Sequence, residues 1–523
     1  MNNDLSWVLP LFVAVPLVAT AVAVVIPSRA IRDVLMVLVP GIGIVAGAWL
    51  FTHTAETGTV AHSVGLYDGG IAIPFAADPF SAVMILTTCI VALASNLFAL
   101  VAGETRARFY PALALMLTAG VNGALLTADL FNLFVFIEVM LLPSYGLIAM
   151  TGTWSRLAGG RMFVLVNLTT STVLLIGVAF VYGVAGTVNM AALAGAAAGN
   201  GPLTVAMGVV VIALCVKAGV FPVHTWLPRT YPGTSPSVMG LFSGLHTKVA
   251  VYALFRIYTV VFDLDPRWSW LIAIVCIISM LVGAYAGLAE HTMRRVIAYQ
   301  MVNGMPFILV VLAFTTLDPV RALAAGILYA LHHMITVGSL VLTVGAVEET
   351  YGTGMLTRLS GLMRREPLVS AIFVMGAFSV IGFPPFSGVW GKLYVTLAVA
   401  RTGDPQAWLV IAAIIAASFG ALLSMLRLWR SVFWGKDMKE KDFPATLLVS
   451  GRKLVPGAAL AVLSVAMFFG AGILTSATTT AAEGLLDVSG YQQAVLGDLT
   501  TAVGVVDGDS TPVPGTDTVE EAH

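Results

Sequence analysis

The sequence predicts an all-α polytopic membrane protein of about fourteen transmembrane helices, in which the seventh and twelfth helices are broken. Of the 523 residues, 59% are hydrophobic and only 10% are charged, whereas soluble domains carry roughly 25% charge. Apolar windows of about twenty residues, the length that crosses a bilayer, recur along the chain. Gly and Pro residues interrupt two of these windows, and broken helices of this kind occur where backbone lines an enclosed site.

The apolar windows set the predicted helices in order. They lie at 5–26, 34–54, 79–102, 110–128, 131–151, 162–184, 203–227, 236–261, 268–289, 296–315, 320–345, 367–400, 406–428 and 454–475.

These windows divide the chain into five parts. We expect an N-terminal three-helix segment (1–109), a first five-helix repeat (110–261), a second, inverted five-helix repeat (262–428), a cytoplasmic loop with the fourteenth helix (429–475), and an acidic, disordered external tail (476–523). Each repeat contains one broken helix, and paired broken helices indicate a binding site at the repeat interface. The repeat is inferred from hydropathy, because the two halves show little sequence similarity.

The loops indicate the orientation. Most Lys and Arg residues fall in alternate loops, and this side is expected to be cytoplasmic. An even number of helices then places both termini outside. The segment 475–523 has no Lys or Arg, which agrees with an external, disordered tail. In the outer loop at 55–78, a short hairpin is expected around Asp68, Gly69 and Gly70.

The most informative stretch runs from Val211 to Arg256. Two apolar segments flank a Pro-rich turn, and each carries one lysine, Lys217 and Lys248. A lysine within a membrane helix costs about 2.5–3.5 kcal/mol on insertion scales. Gly219 and nearby prolines break the first segment just after its lysine. We therefore expect an ion or proton path built around these lysines.

Few other charges lie within the windows. Glu138 is the one acid in the middle of a predicted helix, and Lys392 follows the second break. These charges must face the protein interior, where they are expected to share one polar path with Lys217. A purely structural ion pair between Glu138 and Lys217 is the alternative, although buried ion pairs stabilise poorly relative to apolar packing. Arg256, near the end of the eighth helix, is expected to snorkel to the surface.

Four histidines lie within or near the windows: His224, His246, His332 and His333. Histidine titrates near neutral pH and is a natural relay between lysines, although a membrane histidine can also simply hydrogen-bond neighbouring helices. His224 is expected at the entry of the path. Neighbouring residues on a helix point about 100° apart, so we expect only one of His332 and His333 to face the path directly.

The sequence predicts neither a metal site nor a bound cofactor. Cys89, Cys215 and Cys276 lie far apart in apolar windows and are expected to be small core residues. No Gly-rich stretch has the strand-to-helix context of a phosphate loop. The net charge of −1 gives no indication of nucleic-acid binding.

Four motifs resemble the antiporter-like family of membrane subunits. They are DLFNLFVFIEVMLLPSYGL, KAGVFPVHTWLPRTYPGTSPSVMGLFSGLHTKVAVYALFRI, LYALHHMITVGSLVL and GFPPFSGVWGKLYV, and they cover the fourth to twelfth predicted helices. The family includes large subunits of Mrp-type Na⁺/H⁺ antiporters and proton-pumping subunits of respiratory complex I and membrane-bound hydrogenases. Its fold has fourteen helices with the seventh and twelfth broken. The acidic tail departs from the family pattern.

The resemblance implies a proton-translocating subunit of a multisubunit Na⁺/H⁺ antiporter in the bacterial plasma membrane, a transporter rather than an enzyme. Its partners would be the large, A-type component of the complex and small membrane subunits, with protons and Na⁺ as the ions. The family's functional residues correspond to Glu138, Lys217, Lys248, His332 or His333, and Lys392. Because Na⁺ prefers oxygen ligands, which this lysine-rich path lacks, we expect Na⁺ to move elsewhere in the complex.

Two alternatives stay open from the sequence. The chain could be the proton-pumping subunit of a complex I-like NADH-quinone oxidoreductase or of a membrane-bound hydrogenase, driven by electron transfer in a partner. It could also be a membrane scaffold that kept the fold without transport. The scaffold predicts that neutralising Glu138 or Lys217 leaves transport intact.

Overall fold

The computed structural model describes residues 5–65, 72–150, 154–439 and 442–497. The first ten α-helices are α1 (Leu11–Val25), α2 (Arg29–Thr57), α3 (Pro79–Ala102), α4 (Tyr110–Leu126), α5 (Leu130–Ala149), α6 (Trp154–Ala185), α7 (Ala196–Gly199), α8 (Gly201–Ala218), α9 (Trp226–Thr230) and α10 (Pro236–Val260). The next ten are α11 (Ser269–Ala286), α12 (Met293–Leu309), α13 (Pro319–Tyr351), α14 (Leu362–Arg365), α15 (Pro367–Ile381), α16 (Gly388–Ala400), α17 (Pro405–Leu428), α18 (Gly451–Phe469), α19 (Ala471–Leu486) and α20 (Val488–Leu496).

The long helices are membrane-spanning in character. Within the described residues, twelve helices are long and apolar enough to cross a bilayer, and α4, α15 and α16 are shorter apolar helices. The prediction of an all-α, multi-pass membrane protein is confirmed. The count of fourteen spans and the inverted repeat stay predictions.

Both predicted breaks are present. Gly219 directly follows α8 and Gly382 directly follows α15, and each of these glycines adopts a left-handed backbone, with φ of +76° and +96°. A side chain beyond Cα disfavours this conformation, so glycine is the residue that can end a helix this way. The chain resumes helical structure at α9 after the first break and at α16 after the second.

The predicted hairpin is confirmed in its strands, and its external location stays a prediction. Strand β1 (Val60–Val64) pairs antiparallel with β2 (Ile73–Ala77), with Val60 opposite Ala77. The expected turn at 68–70 lies outside the described residues. Immediately after β2, Asp78 caps α3 by accepting a hydrogen bond from the backbone N–H of Ser81 at 2.8 Å.

Helices α10 and α13 form the centre of the molecule. The most apolar windows of both helices are entirely buried, whereas that of α2 is 28% buried. A helix enclosed by other helices can carry polar side chains without exposing them to lipid. Lys248, His246 and the two adjacent histidines all lie on these two helices.

The prediction of disorder from residue 476 is wrong for the described part of that segment. Helices α19 and α20 continue to Leu496, and α19 packs on α3 and α13. The buried side chains of α19 are Thr478, Ala481, Ala482 and Leu485. They follow helical spacing, which the polar composition of the segment does not reveal. Residues 498–523 lie outside the described part.

The prediction that Arg256 snorkels is also wrong. Its side chain is buried and forms an ion pair with Asp78, with 2.6 Å between Nη2 and Oδ2. The same nitrogen donates to the hydroxyl of Tyr252 at 3.2 Å, and the ring of Tyr491 on α20 covers the guanidinium at 5.1 Å. A buried charge is retained because its partner is in place.

Candidate functional site

The first break buries a lysine in the last turn of α8. Lys217 is 4% exposed and precedes Gly219 by two residues. Side chains satisfy two of the backbone groups at the break: the indole N–H of Trp226 donates to the carbonyl of Val216 at 2.9 Å, and the N–H of Phe221 donates to a serine hydroxyl on α11 at 2.8 Å. The turn is therefore held in place beside the lysine.

Helix α6 lies between Lys217 and Glu138. Nζ of Lys217 lies 3.5 Å from Oδ1 of Asn167, and the hydroxyl of Ser171 donates to the carboxylate of Glu138. Asn167 and Ser171 are four residues apart, so they project from the same face of α6. Within the described residues, Glu138 and Lys217 form no ion pair. One polar turn of α6 separates the two charges instead.

His246 on α10 is hydrogen-bonded to α5. Its Nε2 lies 2.8 Å from the hydroxyl of Ser144, and that hydroxyl donates to the carbonyl of Met140 at 2.7 Å. Because the hydroxyl has one hydrogen, it must accept from the histidine, which assigns the hydrogen to Nε2. Nδ1 of His246 is buried and has no hydrogen-bond partner among the described residues. It is free to accept a proton.

The central lysine contacts a histidine of the neighbouring helix. Nζ of Lys248, which is 1% exposed, lies 2.9 Å from Nδ1 of His333. It also donates to the carbonyl of Ser243 at 3.1 Å and to the hydroxyl of Thr247 at 3.3 Å. This contact joins α10 to α13 through two groups that both exchange protons.

The adjacent histidines of α13 face different neighbours. His333 contacts Lys248, whereas Nδ1 of His332 lies 2.8 Å from the hydroxyl of Ser387 in the second break. Residues next to each other on a helix point about 100° apart. The two side chains therefore have different partners, Lys248 for one and the second break for the other, and which of them lies on a path stays a prediction.

Lys392 uses a backbone carbonyl that the second break leaves free. Its Nζ donates to the carbonyl of Ile381, the last residue of α15, at 2.8 Å and to the hydroxyl of Ser418 at 2.9 Å. The ammonium also lies 5.2 Å from the centre of the Phe307 ring. Burial of the carbonyl is thus compensated by the lysine, as expected for a break at membrane depth.

The three lysines share one electrostatic property. In the part of the chain that the structure describes, no carboxylate lies within 4.0 Å of Lys217, Lys248 or Lys392. Each can gain or lose a proton without breaking an ion pair. We call Glu138, Lys217, Lys248, His332, His333 and Lys392 the polar file.

Comparison with known proteins identifies the family. Residues 127–420, more than half of the chain, match the family described as "NADH:quinone oxidoreductase/Mrp antiporter, TM". The chain belongs to this family. The matched region contains the whole polar file and both breaks.

Relatives in the Mrp antiporter family are similar over nearly the full chain. The D-type component of the Na⁺/H⁺ antiporter of Alkalihalophilus pseudofirmus is 32% identical over 86% of this chain and 90% of its own length. A chain in the structure of the Mrp complex from Dietzia sp. DQ12-45-1b is 40% identical, with a TM-score of 0.89, and covers 95% of this chain and 100% of that chain. The motif HTKVAVYALFRI and Lys392 predict likeness to the D-type component within the family, and this prediction is confirmed.

A respiratory complex contains a similar chain. A chain of the membrane-bound sulfane sulfur reductase, described as an archaeal respiratory membrane complex, is 26% identical, with a TM-score of 0.84 over 94% of this chain and 100% of that chain. The fold therefore serves both antiporter and respiratory assemblies.

One residue predicted for the path is not linked to it. His224 is 6% exposed and lies beside Phe221, with 6.1 Å between the ring centres, and its Nδ1 has no hydrogen-bond partner among the described residues. No hydrogen bond in the described part of the chain joins it to the polar file. Its role at the entry stays a prediction.

Sequence reasoning missed the neutral polar residues of this Mrp-family chain. Asn167 and Ser171 hold the space between Glu138 and Lys217, and Ser144 orients His246. A signal was present, because two polar residues one helical turn apart in an apolar helix indicate a shared polar face. No cluster of three or more His, Cys, Asp or Glu residues with metal-binding geometry occurs among the described residues.

Proposed function

We propose that this chain is a proton-translocating membrane subunit of a multisubunit Na⁺/H⁺ antiporter and that protons move along the polar file. The chain is a transporter subunit rather than an enzyme, and its partners are the other subunits of the antiporter complex. Membership of the family and the similarity to the D-type antiporter component support the antiporter. The contact between Lys248 and His333 carries the proposal for the path, because it joins two buried titratable groups on the central helices α10 and α13.

The path begins at the first break. An ionised Glu138 attracts the ammonium of Lys217 across α6, and a movement of the carboxylate away from Lys217 favours release of its proton. Asn167 of α6 is the hydrogen-bond partner of Nζ of Lys217 in the structure, at 3.5 Å. His246, with an unpartnered Nδ1, is the group placed to receive a proton on the way to Lys248.

The second half of the path crosses from α10 to the second break. Lys248 passes its proton to His333, and the neighbouring His332 extends the route to Ser387. Lys392 then exchanges the proton with the outside. No direct hydrogen bond connects Lys217 to His246, His246 to Lys248, or His332 to Lys392 in the described residues, so these transfers use water or side-chain movement.

The proposed direction of the path uses the orientation expected from the loops. The Arg-rich loops lie in the cytoplasm and both termini lie outside. The two broken helices belong to inverted repeats, so each half of the path contains one break and at least one buried lysine.

Proton movement in everted vesicles tests the proposal. Vesicles that contain the assembled complex are given a pH gradient and then Na⁺. We expect Na⁺ to dissipate the gradient with the wild-type complex, and we expect Lys217→Ala, at equal levels of assembled complex, to lower the initial rate at least about tenfold. Unchanged transport in Lys217→Ala would mean that the lysine is structural.

The same vesicles distinguish the antiporter from the respiratory alternative. The similarity to the sulfane sulfur reductase chain is the observation that favours it. If Na⁺ has no effect on the gradient but NADH or another electron donor drives proton uptake, the chain is a redox-driven pump subunit. If neither acts, the chain is a scaffold.

Gly304 offers a steric test of the Lys248–His333 contact. A Cβ at this position of α12 would overlap the His333 imidazole. Because overpacking a core costs roughly 1–3 kcal/mol, we expect Gly304→Ala to displace the ring from Lys248 and to slow Na⁺-driven proton movement about tenfold.

Gly208→Ala is the matched control. Gly208 lies inside α8, and a Cβ there meets no atom within 4 Å. Both substitutions gain similar helix propensity. A normal rate for Gly304→Ala would show that the Lys248–His333 contact is not required.

A further inference from the structure

Four buried hydroxyls surround His332 at the second break. They belong to Thr336 on α13, Ser379 on α15, Ser387 between the half-helices and Ser464 on α18, and none is more than 2% exposed. We call these hydroxyls, together with Nδ1 of His332, the hydroxyl ring.

The ring closes on itself. Starting from Nδ1 of His332, the contacts are 2.8 Å to Ser387, 2.8 Å to Ser464, 2.9 Å to Ser379, 2.9 Å to Thr336 and 3.1 Å back to Nδ1. Four separate chain segments therefore place their polar atoms around one point.

These hydroxyls differ from several other buried hydroxyls in the described helices. Thr343 and Ser144, for example, donate to the carbonyl four residues earlier in their helix, which is the usual solution for a hydroxyl in an apolar helix. In the described residues, the ring hydroxyls hydrogen-bond one another and His332 instead. Their oxygens are held together rather than used to satisfy the helices.

The hydrogens of the ring cannot satisfy all of its contacts. Each hydroxyl contributes one hydrogen, and Nδ1 of a neutral His332 has either one hydrogen or one lone pair. In either tautomer, one of the five contacts lacks a complementary donor and acceptor. When Nδ1 carries the lone pair, all four hydroxyl hydrogens find acceptors, and the fifth edge brings two lone pairs together. A cation beside that edge would relieve their repulsion.

The size of the ring fits a small cation. A planar ring of four oxygens and one nitrogen with these edges has a radius of about 2.5 Å, and for the four oxygens this lies within the range of about 2.3–2.6 Å at which Ca²⁺ takes oxygen ligands. Na⁺ has nearly the same radius as Ca²⁺, and neutral oxygens suit a monovalent charge. Unwound backbone at a broken helix is where transporters coordinate Na⁺, and the backbone N–H of Ser387 fixes this break to α18 by donating to the carbonyl of Ser464 at 3.2 Å.

We propose that the hydroxyl ring is a Na⁺ site. This proposal rests on the proposed function for its role in transport, and it places Na⁺ in this chain rather than elsewhere in the complex. Lys392 donates to the carbonyl of Ile381, two residues after Ser379. A bound Na⁺ and a Lys392 ammonium repel each other across the same break. Mutual exclusion of a cation and a proton is the requirement of antiport.

Na⁺ binding and transport are measured together. For the purified complex, ²²Na⁺ binding is titrated in the presence of K⁺. In vesicles, the Na⁺ concentration for half-maximal dissipation of the pH gradient is determined. We expect Ser464→Ala to raise two quantities about tenfold, because it removes one ligand: the dissociation constant for Na⁺ and the Na⁺ concentration for half-maximal dissipation.

Ser339→Ala is the matched control. Ser339 also joins α13 to α18 by donating to the carbonyl of Gly457 at 2.8 Å, but it lies outside the ring. Ser339→Ala is expected to leave the dissociation constant for Na⁺ and the half-maximal Na⁺ concentration unchanged. Thr336→Val, which keeps the side-chain shape, replaces Ser464→Ala if that variant does not assemble.

The outcomes separate the site from the function. Unchanged Na⁺ affinity in Ser464→Ala and Thr336→Val overturns the Na⁺ site. The ring is then a proton relay or a packing contact, and the proposed antiporter function is not affected. Loss of Na⁺ binding in the variants, in a complex whose wild type shows no Na⁺-driven proton movement, supports the site and overturns the proposed function.

Discussion

Lys248→Met is expected to lower Na⁺-driven proton movement at least about 100-fold, the size of effect typical of losing an essential proton-transfer group. Methionine keeps the length and the apolar stem of the side chain but cannot carry a proton. Lys248 lies between the two breaks, and its contact with His333 is the link from α10 to α13. The measurement is the initial rate of gradient dissipation in everted vesicles, normalised to assembled complex.

Lys248→Arg distinguishes proton exchange from a fixed charge. Arginine stays protonated in proteins, so we expect this variant to be as inactive as Lys248→Met. A rate for Lys248→Arg near that of the wild type would contradict the relay and assign the lysine a purely electrostatic role. Lys436→Met, at an exposed loop position, controls for the loss of a lysine.

Much of the fold is predictable because bilayer physics restricts what an apolar chain can do. Apolar windows, two Gly/Pro breaks and one hairpin follow from patterns of neighbouring residues, and the structure contains apolar helices, both breaks and the paired strands. The prediction of a disordered tail fails for the described part, up to residue 497, because its polar composition does not reveal its helical periodicity. The small buried residues of α19 are spaced for helix packing, from Thr478 to Leu485.

The charged members of the site are also predictable, since a charge in an apolar window is conspicuous and must face the interior. Their contacts are not. Arg256 pairs with Asp78 from a distant helix end, and the acid–lysine gap is filled by Asn167 of α6. Serine and threonine are common in membrane helices, so the convergence of hydroxyls near His332 follows from the three-dimensional arrangement alone.

Glu138→Gln is expected to lower transport at least about 100-fold as well. Glutamine has nearly the same shape and still accepts a hydrogen bond from Ser171, but it has no charge to attract the ammonium of Lys217. In the path proposed here, the acid acts on Lys217 at a distance, across α6, because no ion pair joins them within the described residues. The charge and not the hydrogen bond is then the essential property.

Two further variants separate the charge from the hydrogen bond. Glu138→Asp keeps a carboxylate and is expected to retain a substantial fraction of the wild-type rate. Ser171→Ala removes the hydrogen bond and leaves the charge, so we expect it to reduce the rate about tenfold, the lower end of the loss of one hydrogen bond to a charged group and less than the loss in Glu138→Gln. If Ser171→Ala is instead as inactive as Glu138→Gln, and Glu138→Asp is inactive too, the position of the α5 carboxylate against Ser171 of α6 controls transport. The electrostatic coupling to Lys217 would then have to be abandoned.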